Sequence, residues 1–369
     1  MSRYVKISIA LVTVAMLAGC SGSASTAAPA ASAAAPAASA AAAGSKGTIA
    51  FLLSGPDLYY QYGLKGAMAA AQALGYTVKA YPNPNISPSV ELANVQNAVA
   101  AGVKAIDGYS VGLATETASI AAAGKAGIPI FLMYGYSSQY INDPNVIGFE
   151  QVNLQPYGAA DGTWVKQNAT GKVAIITGQL GRGDAEGYRT GFLQGLGCSG
   201  NLVNGQPPMS CAGGKLEYVA TQTGNWLRPQ AYTAAQNILA KYPDLSVIYA
   251  ENDDMAVGVH TALVAAHKDQ QVTLVSMNGA PYGLAGVQAG WLKADDTCSP
   301  SLEGLYSIRL IDAYLNHQIS GGKLYYSYTT FVTKANMSDA VGWEFYTDPT
   351  QVAKFMAAPL PQPVQNPPA

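Results

Sequence analysis

The stretch Val247-Ile-Tyr-Ala-Glu-Asn-Asp-Asp-Met-Ala-Val-Gly258 joins a short apolar run to a helix-like segment, with polar side chains at the junction. Similar units recur along the chain from residue 48 onward. Short uncharged strands that alternate with amphipathic helices are typical of βαβ units, in which helices cover parallel strands on both faces. The pattern therefore predicts an α/β protein with doubly wound parallel sheets.

The predicted strands fall into two series, which indicates two lobes, because a single core rarely extends over more than about 250–300 residues. Ligands of open parallel sheets bind beyond the carboxyl ends of the strands. We therefore expect the polar residues that follow the strands to form the site. The first series occupies 48–53, 77–81, 105–109, 128–134 and 146–149, and the second occupies 173–177, 216–221, 247–250, 272–277 and 291–294.

The N-terminus has the features of an export signal that ends in a lipid-attachment site. Arg3 and Lys6 precede a mostly apolar stretch, 7–18, which is shorter than the roughly 20 residues that a membrane-spanning helix needs. Leu17-Ala-Gly-Cys20 resembles the bacterial lipobox. We expect residues 1–19 to be a signal peptide, and Cys20 to be acylated.

Residues 20–46 form a predicted tether between this anchor and the folded body. They consist almost wholly of Ala, Ser, Pro, Gly and Thr, which cannot bury enough apolar surface to offset the entropy of ordering. The Pro-rich tail at 349–369 is expected to be extended or disordered. The layout predicts an extracytoplasmic protein that a lipid holds at the bacterial cell membrane.

The composition argues against two other classes of protein. The formal net charge is −2 and there is no basic stripe, which argues against nucleic acid binding. The histidines, at positions 260, 267 and 317, do not have metal-ligand spacing with a cysteine or carboxylate. We therefore expect no metal and no organic cofactor.

The four cysteines suggest one disulfide. Cys20 is assigned to the anchor, and Cys198 and Cys211 flank a stretch rich in Gly, Pro and Asn. Outside the cytoplasm this pair could close the loop as a disulfide, and loop closure favours it. Cys298 would then be unpaired, and the spacing alone leaves other pairings open.

Several segments carry a resemblance to a known family. Thr48-Ile-Ala-Phe-Leu-Leu-Ser54 with Asp57-Leu-Tyr-Tyr60, Gly127-Ile-Pro-Ile130, Ala250-Glu-Asn-Asp-Asp-Met-Ala-Val-Gly258 and Met277-Asn-Gly279 occur in a characteristic order and spacing. They resemble the sugar-binding receptors of ABC importers that are related to ribose- and galactose-binding proteins. The Asn-Asp-Asp-Met-Ala run is the most specific match.

The resemblance covers the chain from Gly47 to about Asp348 and implies the type I periplasmic binding fold, with two lobes joined by three hinge strands. The first lobe would comprise 47–150 plus 299–322, and the second 151–298 plus 323–348. The crossings would lie near Glu150, Cys298 and Gly322. The resemblance also implies a receptor that is not an enzyme, closes around one solute and presents it to a membrane permease. We expect a monomer.

Nine residues are candidates for contact with the solute. Carboxylates and amides can fix hydroxyl groups, and tyrosine rings can cover the apolar face of a sugar. The alternative for Asn252 is a helix cap, and for Asp184 an interaction with a helix N-terminus. The set comprises Asp57, Tyr59, Tyr60, Tyr109, Tyr134, Asp184, Glu186, Asn252 and Asn278.

Several positions depart from the family pattern. Tyr134-Gly135 follow the fourth strand, where members often have Asp-Arg, and Glu186 or Tyr188 lies near the place of a frequent arginine. Asn278 replaces a common Asp, and Cys298 falls near a frequent Gln. We therefore expect a site without arginine and enriched in tyrosine and carboxylate. A sugar or polyol other than ribose fits it, and a cationic or aromatic solute is the alternative.

Two other functions are weighed against import. Gly108-Tyr-Ser-Val-Gly112 matches the nucleophile elbow of serine hydrolases, with Ser110 as the nucleophile. Because all three histidines fall in helix-like segments and no oxyanion segment appears, hydrolysis is a distant alternative and no catalytic residue is expected. A ligand sensor that signals to a partner protein uses the same fold, and the sequence does not separate sensing from import.

Overall fold

The computed structural model describes residues 45–203 and 205–368. The predicted signal peptide, the lipid-attachment residue Cys20 and almost all of the tether lie outside the described residues. Among the helices of the described part, none is both long enough and apolar enough to cross a membrane.

Strands and helices alternate from the start of the folded body. In chain order the first elements are β1 (Thr48–Leu52), α1 (Leu58–Leu74), β2 (Thr77–Tyr81), α2 (Pro88–Ala100), β3 (Ala105–Gly108), α3 (Leu113–Lys125), β4 (Ile130–Met133) and β5 (Val146–Gln151).

The second half continues the alternation and then adds short strands and a C-terminal helix. It contains α4 (Leu154–Asn168), β6 (Gly171–Thr177), α5 (Gly183–Gly195), β7 (Met209–Cys211), β8 (Leu216–Thr223), α6 (Arg228–Lys241), β9 (Leu245–Ala250), α7 (Asp253–Ala265), β10 (Thr273–Asn278), α8 (Pro281–Ala289), β11 (Ala294–Thr297), α9 (Pro300–Leu315), β12 (Lys323–Tyr326), β13 (Thr330–Thr333) and α10 (Pro349–Ala357). Short 3-10 turns lie at Ser138–Tyr140, Ala212–Gly214, Lys334–Asp339 and Phe345–Thr347.

The strands form two sheets, one in each lobe. The first has the order β12-β5-β4-β3-β1-β2, and all its neighbouring strands are parallel. The second has the order β13-β11-β10-β9-β6-β8-β7, and only its edge strands, β7 and β13, run antiparallel to their neighbours. The predicted doubly wound, two-lobed α/β fold is confirmed.

Helices cover both faces of each sheet, which explains why central strands such as β4 are apolar throughout instead of alternating. In β1, Ile49 and Phe51 pack with residues of α1 and α9, whereas Ala50 and Leu52 pack with residues of α2 and α3. In the second lobe, α6 and α7 cover one face of the sheet, and α4 and α5 cover the other.

Within residues 45–203 and 205–368 the chain passes between the lobes four times. The first three crossings are the short links from β5 to α4, from β11 to α9, and from β12 to β13. The third differs from the expectation, which placed it near Gly322 and assigned 323–348 to the second lobe. Residues Lys323–Tyr326 instead pair with Gly148–Gln151 and extend the first sheet, so that the chain crosses after Tyr326. The fourth crossing, at 340–344, was not expected.

The C-terminal residues return to the first lobe. Asp348 caps α10 by accepting hydrogen bonds from two backbone amides, and Val352 of that helix joins the first-lobe core. The Arg309 guanidinium of α9 donates to the carbonyl oxygen atoms of Phe355 and Ala358. The backbone N–H of Val364 then donates to the carbonyl oxygen of Leu324. The expected tail is thus a helix followed by an extended segment along β12.

A disulfide joins Cys198 to Cys211, the last residue of β7. Cys298 is a buried free thiol at the second crossing.

Candidate functional site

A cavity lies between the two lobes, at the carboxyl ends of both sheets. The empty space between its lining residues, including the part that is open to solvent, is about 560 Å³. The first lobe and the fourth crossing contribute Asp57, Tyr59, Tyr60, Tyr109, Tyr134 and Trp343, and the second lobe contributes Arg182, Asp184, Tyr188, Trp226, Asn252, Asp253, Asp254, Asn278 and Tyr282.

Eight of the nine candidate residues line this cavity, and Glu186 does not. Glu186 lies two positions after Asp184 on α5, and residues two apart on a helix do not share a face. Its carboxylate accepts hydrogen bonds from the Arg189 side chain and from the backbone N–H of Gly181. The carboxylate of Asp184 contributes to the cavity, and that of Glu186 stabilises its own helix.

Asp57 combines a structural and a site role. Its Oδ1 accepts a hydrogen bond from the backbone N–H of Tyr59 over 2.9 Å and so caps α1. Burial raises the pKa of Asp57 to about 6, and the nearby Asp254 carboxylate adds to the rise, whereas the Tyr59 hydrogen bond and Arg228 oppose it. An incoming hydroxyl or ammonium group would favour the ionised form of this carboxyl.

Behind the tyrosines of the first lobe lies the buried carboxylate of Glu303, in the first turn of α9. Its Oε1 accepts hydrogen bonds from Tyr59 over 2.5 Å and from Tyr134 over 2.9 Å. Its Oε2 accepts one from Tyr109 over 2.9 Å. Burial raises the pKa of Glu303 to about 7, although the three hydroxyl donors act in the opposite direction. One carboxylate thus fixes three rings that line the cavity.

Arg182, directly before α5, is the main cation at the cavity. Its Nε lies 3.0 Å from Oδ2 of Asp184, in an ion pair without the alignment of a hydrogen bond. Burial opposes its charge, but Asp184 and Tyr60 outweigh that effect and raise the pKa of Arg182. The expectation of a site without arginine is therefore wrong. The arginine precedes the helix, whereas the resemblance pointed to positions within it.

Besides Nε of Arg182, two more buried donors at the cavity lack a hydrogen-bond acceptor within the described residues. Among the described residues, neither Nη1 of Arg182 nor Nε1 of Trp226 has a hydrogen-bond acceptor. A buried donor without a partner costs about 1–3 kcal/mol. Acceptor oxygen atoms of a solute in this cavity would offset that cost.

Trp226 was not predicted, although it follows β8 by three residues. It adopts a left-handed φ of 66°, which is uncommon for a bulky residue. Its ring lies against Gly178, where an added Cβ would come within 2.1 Å of the indole. The lack of a side chain at position 178 therefore leaves the space that the indole occupies. The observed β8 extends two residues beyond the predicted strand, and the extension brings Trp226 close to the strand end.

The two asparagines of the second lobe also combine roles. Asn252 caps α7 through a hydrogen bond of 2.8 Å from the backbone N–H of Met255 to Oδ1, and its Nδ2 donates to the carbonyl oxygen of Trp226. Asn278 has a φ of 111°, and its carbonyl oxygen accepts a hydrogen bond from the Trp343 indole. The cap interpretation of Asn252 is correct, and this residue still lines the cavity.

The charges around the cavity nearly balance. Arg182 pairs with Asp184, and at the rim Nη2 of Arg228 lies 2.7 Å from Oδ1 of Asp254. Burial, reinforced by Asp295, raises the pKa of Asp253 well above its usual range and favours its neutral form. Asp57 is the remaining carboxylate. Together with the aromatic lining, this balance suits a neutral polar solute or a monocation better than an anion.

Ser110 does not have the surroundings of a hydrolytic nucleophile. It is fully buried, and its hydroxyl donates to Oε1 of Glu91 over 3.2 Å. The backbone N–H of Val111 donates to the same carboxylate over 2.7 Å. Within the described residues no histidine is a hydrogen-bond partner of Ser110. The Gly-Tyr-Ser-Val-Gly segment forms a structural turn at the end of β3.

Metal binding has no support in the geometry. Across residues 45–203 and 205–368, no group of three or more His, Cys, Asp or Glu side chains could hold a metal ion.

The chain is similar to proteins of known type. A family model described as periplasmic binding protein domain matches residues 49–319. A ribose import binding protein from Salmonella typhimurium is 28% identical over 284 residues, which cover 73% of this chain and 86% of that protein. A D-apiose import binding protein from Paraburkholderia graminis is 26% identical over 258 residues, which cover 69% of this chain and 76% of that protein.

Solved structures share the fold. An ABC transporter periplasmic solute-binding protein from Actinobacillus succinogenes, with bound D-allose, has a TM-score of 0.68 at 23% identity and covers 80% of this chain and 100% of its own. A Mycobacterium smegmatis protein in complex with β-D-fucofuranose has a TM-score of 0.70 at 20% identity, and the match covers 84% of this chain and 96% of that protein. At these identities the likeness supports the fold alone.

Proposed function

Because the chain belongs to the periplasmic binding proteins, we propose that it captures a neutral monosaccharide or polyol in the interlobe cavity and delivers it to the permease of an ABC importer. The chain is a binding protein of an extracytoplasmic family and not an enzyme. The observation that carries the proposal is one cavity lined by polar and aromatic groups of both lobes.

The chemistry of the lining supports a polyol. Sugars present hydroxyl groups at their edges and apolar C–H patches on their faces. The free donors of Arg182 and Trp226 suit ligand oxygen atoms, and the Asp57 carboxylate suits ligand hydroxyl protons. Aromatic rings supply the flat surfaces against which C–H patches pack. Some relatives carry names that refer to ribose, D-allose and D-apiose.

Capture would proceed by closure of the hinge. A solute that touches both lobes shifts the population toward the closed form, by as much as it binds that form better. Asp57 and Tyr60 act from the first lobe, and Arg182, Asn252 and Asn278 act from the second. Loss of the contacts from one lobe therefore weakens binding even where the contacts from the other lobe are intact.

A monocation is the second candidate ligand. Asp57 is the carboxylate left after the two ion pairs are formed, and eight of the fifteen lining residues are aromatic. A carboxylate among aromatic faces is an arrangement that binds ammonium groups. Arg182 opposes this candidate, because its charge would repel the ligand.

A thermal-shift screen of the chain from Cys20 onward tests the ligand class. The panel contains D-ribose, D-allose, L-arabinose, D-apiose, inositol, choline and amino acids. A ligand at a hundred times its Kd stabilises the native state by about 2.7 kcal/mol, a shift of at least a degree or two in a protein of this size. Stabilisation by a sugar or inositol is expected. Stabilisation by choline alone would replace the sugar with a cation, and no stabilisation would contradict the proposal.

We also propose a lipid on Cys20, with 20–46 as the tether of a monomeric receptor. The support is the lipobox-like Leu17–Cys20 and the apolar stretch before it. In a bacterial host the protein is expected to partition into detergent, and a Cys20→Ser variant into the aqueous phase. Equal partitioning of the two proteins would contradict the anchor.

A further inference from the structure

The residues after β13 form a connection that is fixed to both lobes. The 3-10 turn Lys334–Asp339 lies in the second lobe, where Met337 packs against the core. Helix α10 lies in the first lobe, where Val352 is part of the core. Between them, residues 340–344 cross beside the cavity. The family model ends at residue 319, so this connection lies outside the matched segment.

Trp343 stands in the middle of this crossing and lines the cavity with 2% of its surface exposed. Its Nε1 donates a hydrogen bond of 2.7 Å to the carbonyl oxygen of Asn278 in the second lobe. Its carbonyl oxygen accepts one of 2.6 Å from Oγ of Ser301, at the start of α9. Its ring packs edge-on against two tyrosine rings, with centroid distances of 5.3 Å to Tyr59 of the first lobe and 6.1 Å to Tyr282 of the second lobe.

We propose that Trp343 is a ligand-contacting residue that also latches the two lobes in the closed arrangement. When the lobes separate, Trp343 cannot keep its partners on both sides. Either the bond to Asn278 or the interactions with Ser301 and Tyr59 must break. A solute that packs on the indole in the closed form must give up that packing when the lobes open, so its binding favours closure. The ligand part of this inference rests on the proposed function, and the latch part does not.

The hydrogen bond to Asn278 also defines what Trp343 can offer a solute. The indole has a single N–H, and the protein already uses it. Trp343 therefore presents only its π surface, in contrast to Trp226, whose N–H has no acceptor among the described residues. The geometry selects a solute with an apolar C–H patch or methyl group toward Trp343 and an acceptor oxygen toward Trp226.

A measurement without ligand tests the latch. Spin labels are placed on Met68→Cys and Val264→Cys, because these positions are 52% and 47% exposed and lie on α1 and α7 of opposite lobes. Electron-electron distance measurements then compare full-length wild type with Trp343→Ala and Trp343→Phe in that background. We expect a longer and broader interlobe distance in Trp343→Ala, and a smaller change in Trp343→Phe, which keeps a smaller aromatic ring but loses the N–H.

Trp291→Phe is the matched control, since Trp291 stacks on His260 at 4.4 Å and lies outside the cavity lining. Its distance distribution should equal that of the wild type. The same distribution in all four proteins would overturn the latch. If Trp343→Ala fails to fold, the comparison of Trp343→Phe with Trp291→Phe decides the result.

Titration with D-ribose, D-allose and L-arabinose tests the ligand contact. For a sugar that binds the wild type, Trp343→Phe should bind about 3- to 10-fold more weakly, as expected for one lost hydrogen bond, and Trp343→Ala should bind more weakly still. Unchanged affinity in Trp343→Ala would overturn the contact. If no sugar binds the wild type, the proposed function fails and with it the ligand contact, while the distance measurement still decides the latch.

Discussion

The hydroxyl group of Tyr109 lies 2.9 Å from Oε2 of Glu303, although 194 positions separate the two residues in sequence. Tyr109 directly follows β3, and Glu303 lies in the first turn of α9, just after the chain returns from the second lobe. Tyr59 and Tyr134 donate to the same carboxylate. The aromatic wall of the cavity is therefore attached to the helix that follows the hinge.

Replacement of Glu303 should destabilise the first lobe. Glu303→Leu leaves three buried hydroxyl groups without their acceptor, and each such group costs about 1–3 kcal/mol when it finds no other partner. We expect the free energy of unfolding in urea to fall by about 2–4 kcal/mol, because the groups partly rearrange. Tyr109→Phe, which removes one of the three bonds, is the control and should cost about 1 kcal/mol. Wild-type stability in Glu303→Leu would contradict the role of this carboxylate.

Stability should decrease as the pH rises. Burial raises the pKa of several carboxyl groups into or above the neutral range, so the folded state holds protons that the unfolded state has released. Stability from these groups is fully present below their unfolded pKa of about 4–4.5 and is lost as the pH rises through the folded values. The groups, with folded pKa values of about 6 to about 8, are Asp57, Asp107, Glu116, Glu251, Asp295 and Glu303.

Urea unfolding between pH 5 and pH 9 measures this effect. We expect the free energy of unfolding to fall by about 2 kcal/mol or more over this interval, since one unit of pKa shift corresponds to about 1.4 kcal/mol. Glu251→Gln should reduce the dependence of the unfolding free energy on pH. The amide keeps the shape of the carboxyl and can still accept the hydrogen bond from Thr177, but it does not titrate. A free energy of unfolding that stays constant or rises between pH 5 and pH 9 would show that the buried carboxyl groups are ionised without cost.

Asp57→Asn separates the helix cap from the ligand contact. An amide oxygen still accepts from the backbone N–H of Tyr59, and Asn is as good a cap as Asp. We therefore expect no loss of stability, and a gain near neutral pH, because the amide avoids the cost of ionising a buried carboxyl. Sugar affinity, measured by calorimetry, should fall about 10-fold or more through loss of a charged acceptor. Unchanged affinity would remove Asp57 from the binding site.

Much of the fold followed from local pattern. Continuous apolar strands such as Ile130–Met133 are readable because both faces of a parallel sheet are covered. The geometric rule for the carboxyl ends of strands then located Tyr109, Tyr134 and Asn278 at the cavity. Such residues are predictable because their placement depends on the strand that directly precedes them.

Other site residues depend on interactions that the sequence does not display. From sequence alone, Glu303 would be assigned an ordinary interaction with the helix dipole, because it lies in the first turn of a helix. Only the folded chain brings the three tyrosines to its carboxylate. Trp343 lies in the unexpected fourth crossing, which is visible only after β12 is seen to join the first sheet.

Calorimetric titration of wild type, Arg182→Met and Arg189→Met with the sugar found in the screen tests the central claim most directly. Both arginines belong to the α5 region, but Arg189 bonds to Glu186 and to the carbonyl oxygen of Gly205, outside the cavity lining. The account predicts one saturable site per chain in wild type and Arg189→Met, and at least about 100-fold weaker binding in Arg182→Met, where a buried charged donor is lost. Absence of sugar binding in the wild type, or equal affinity in Arg182→Met, would contradict it.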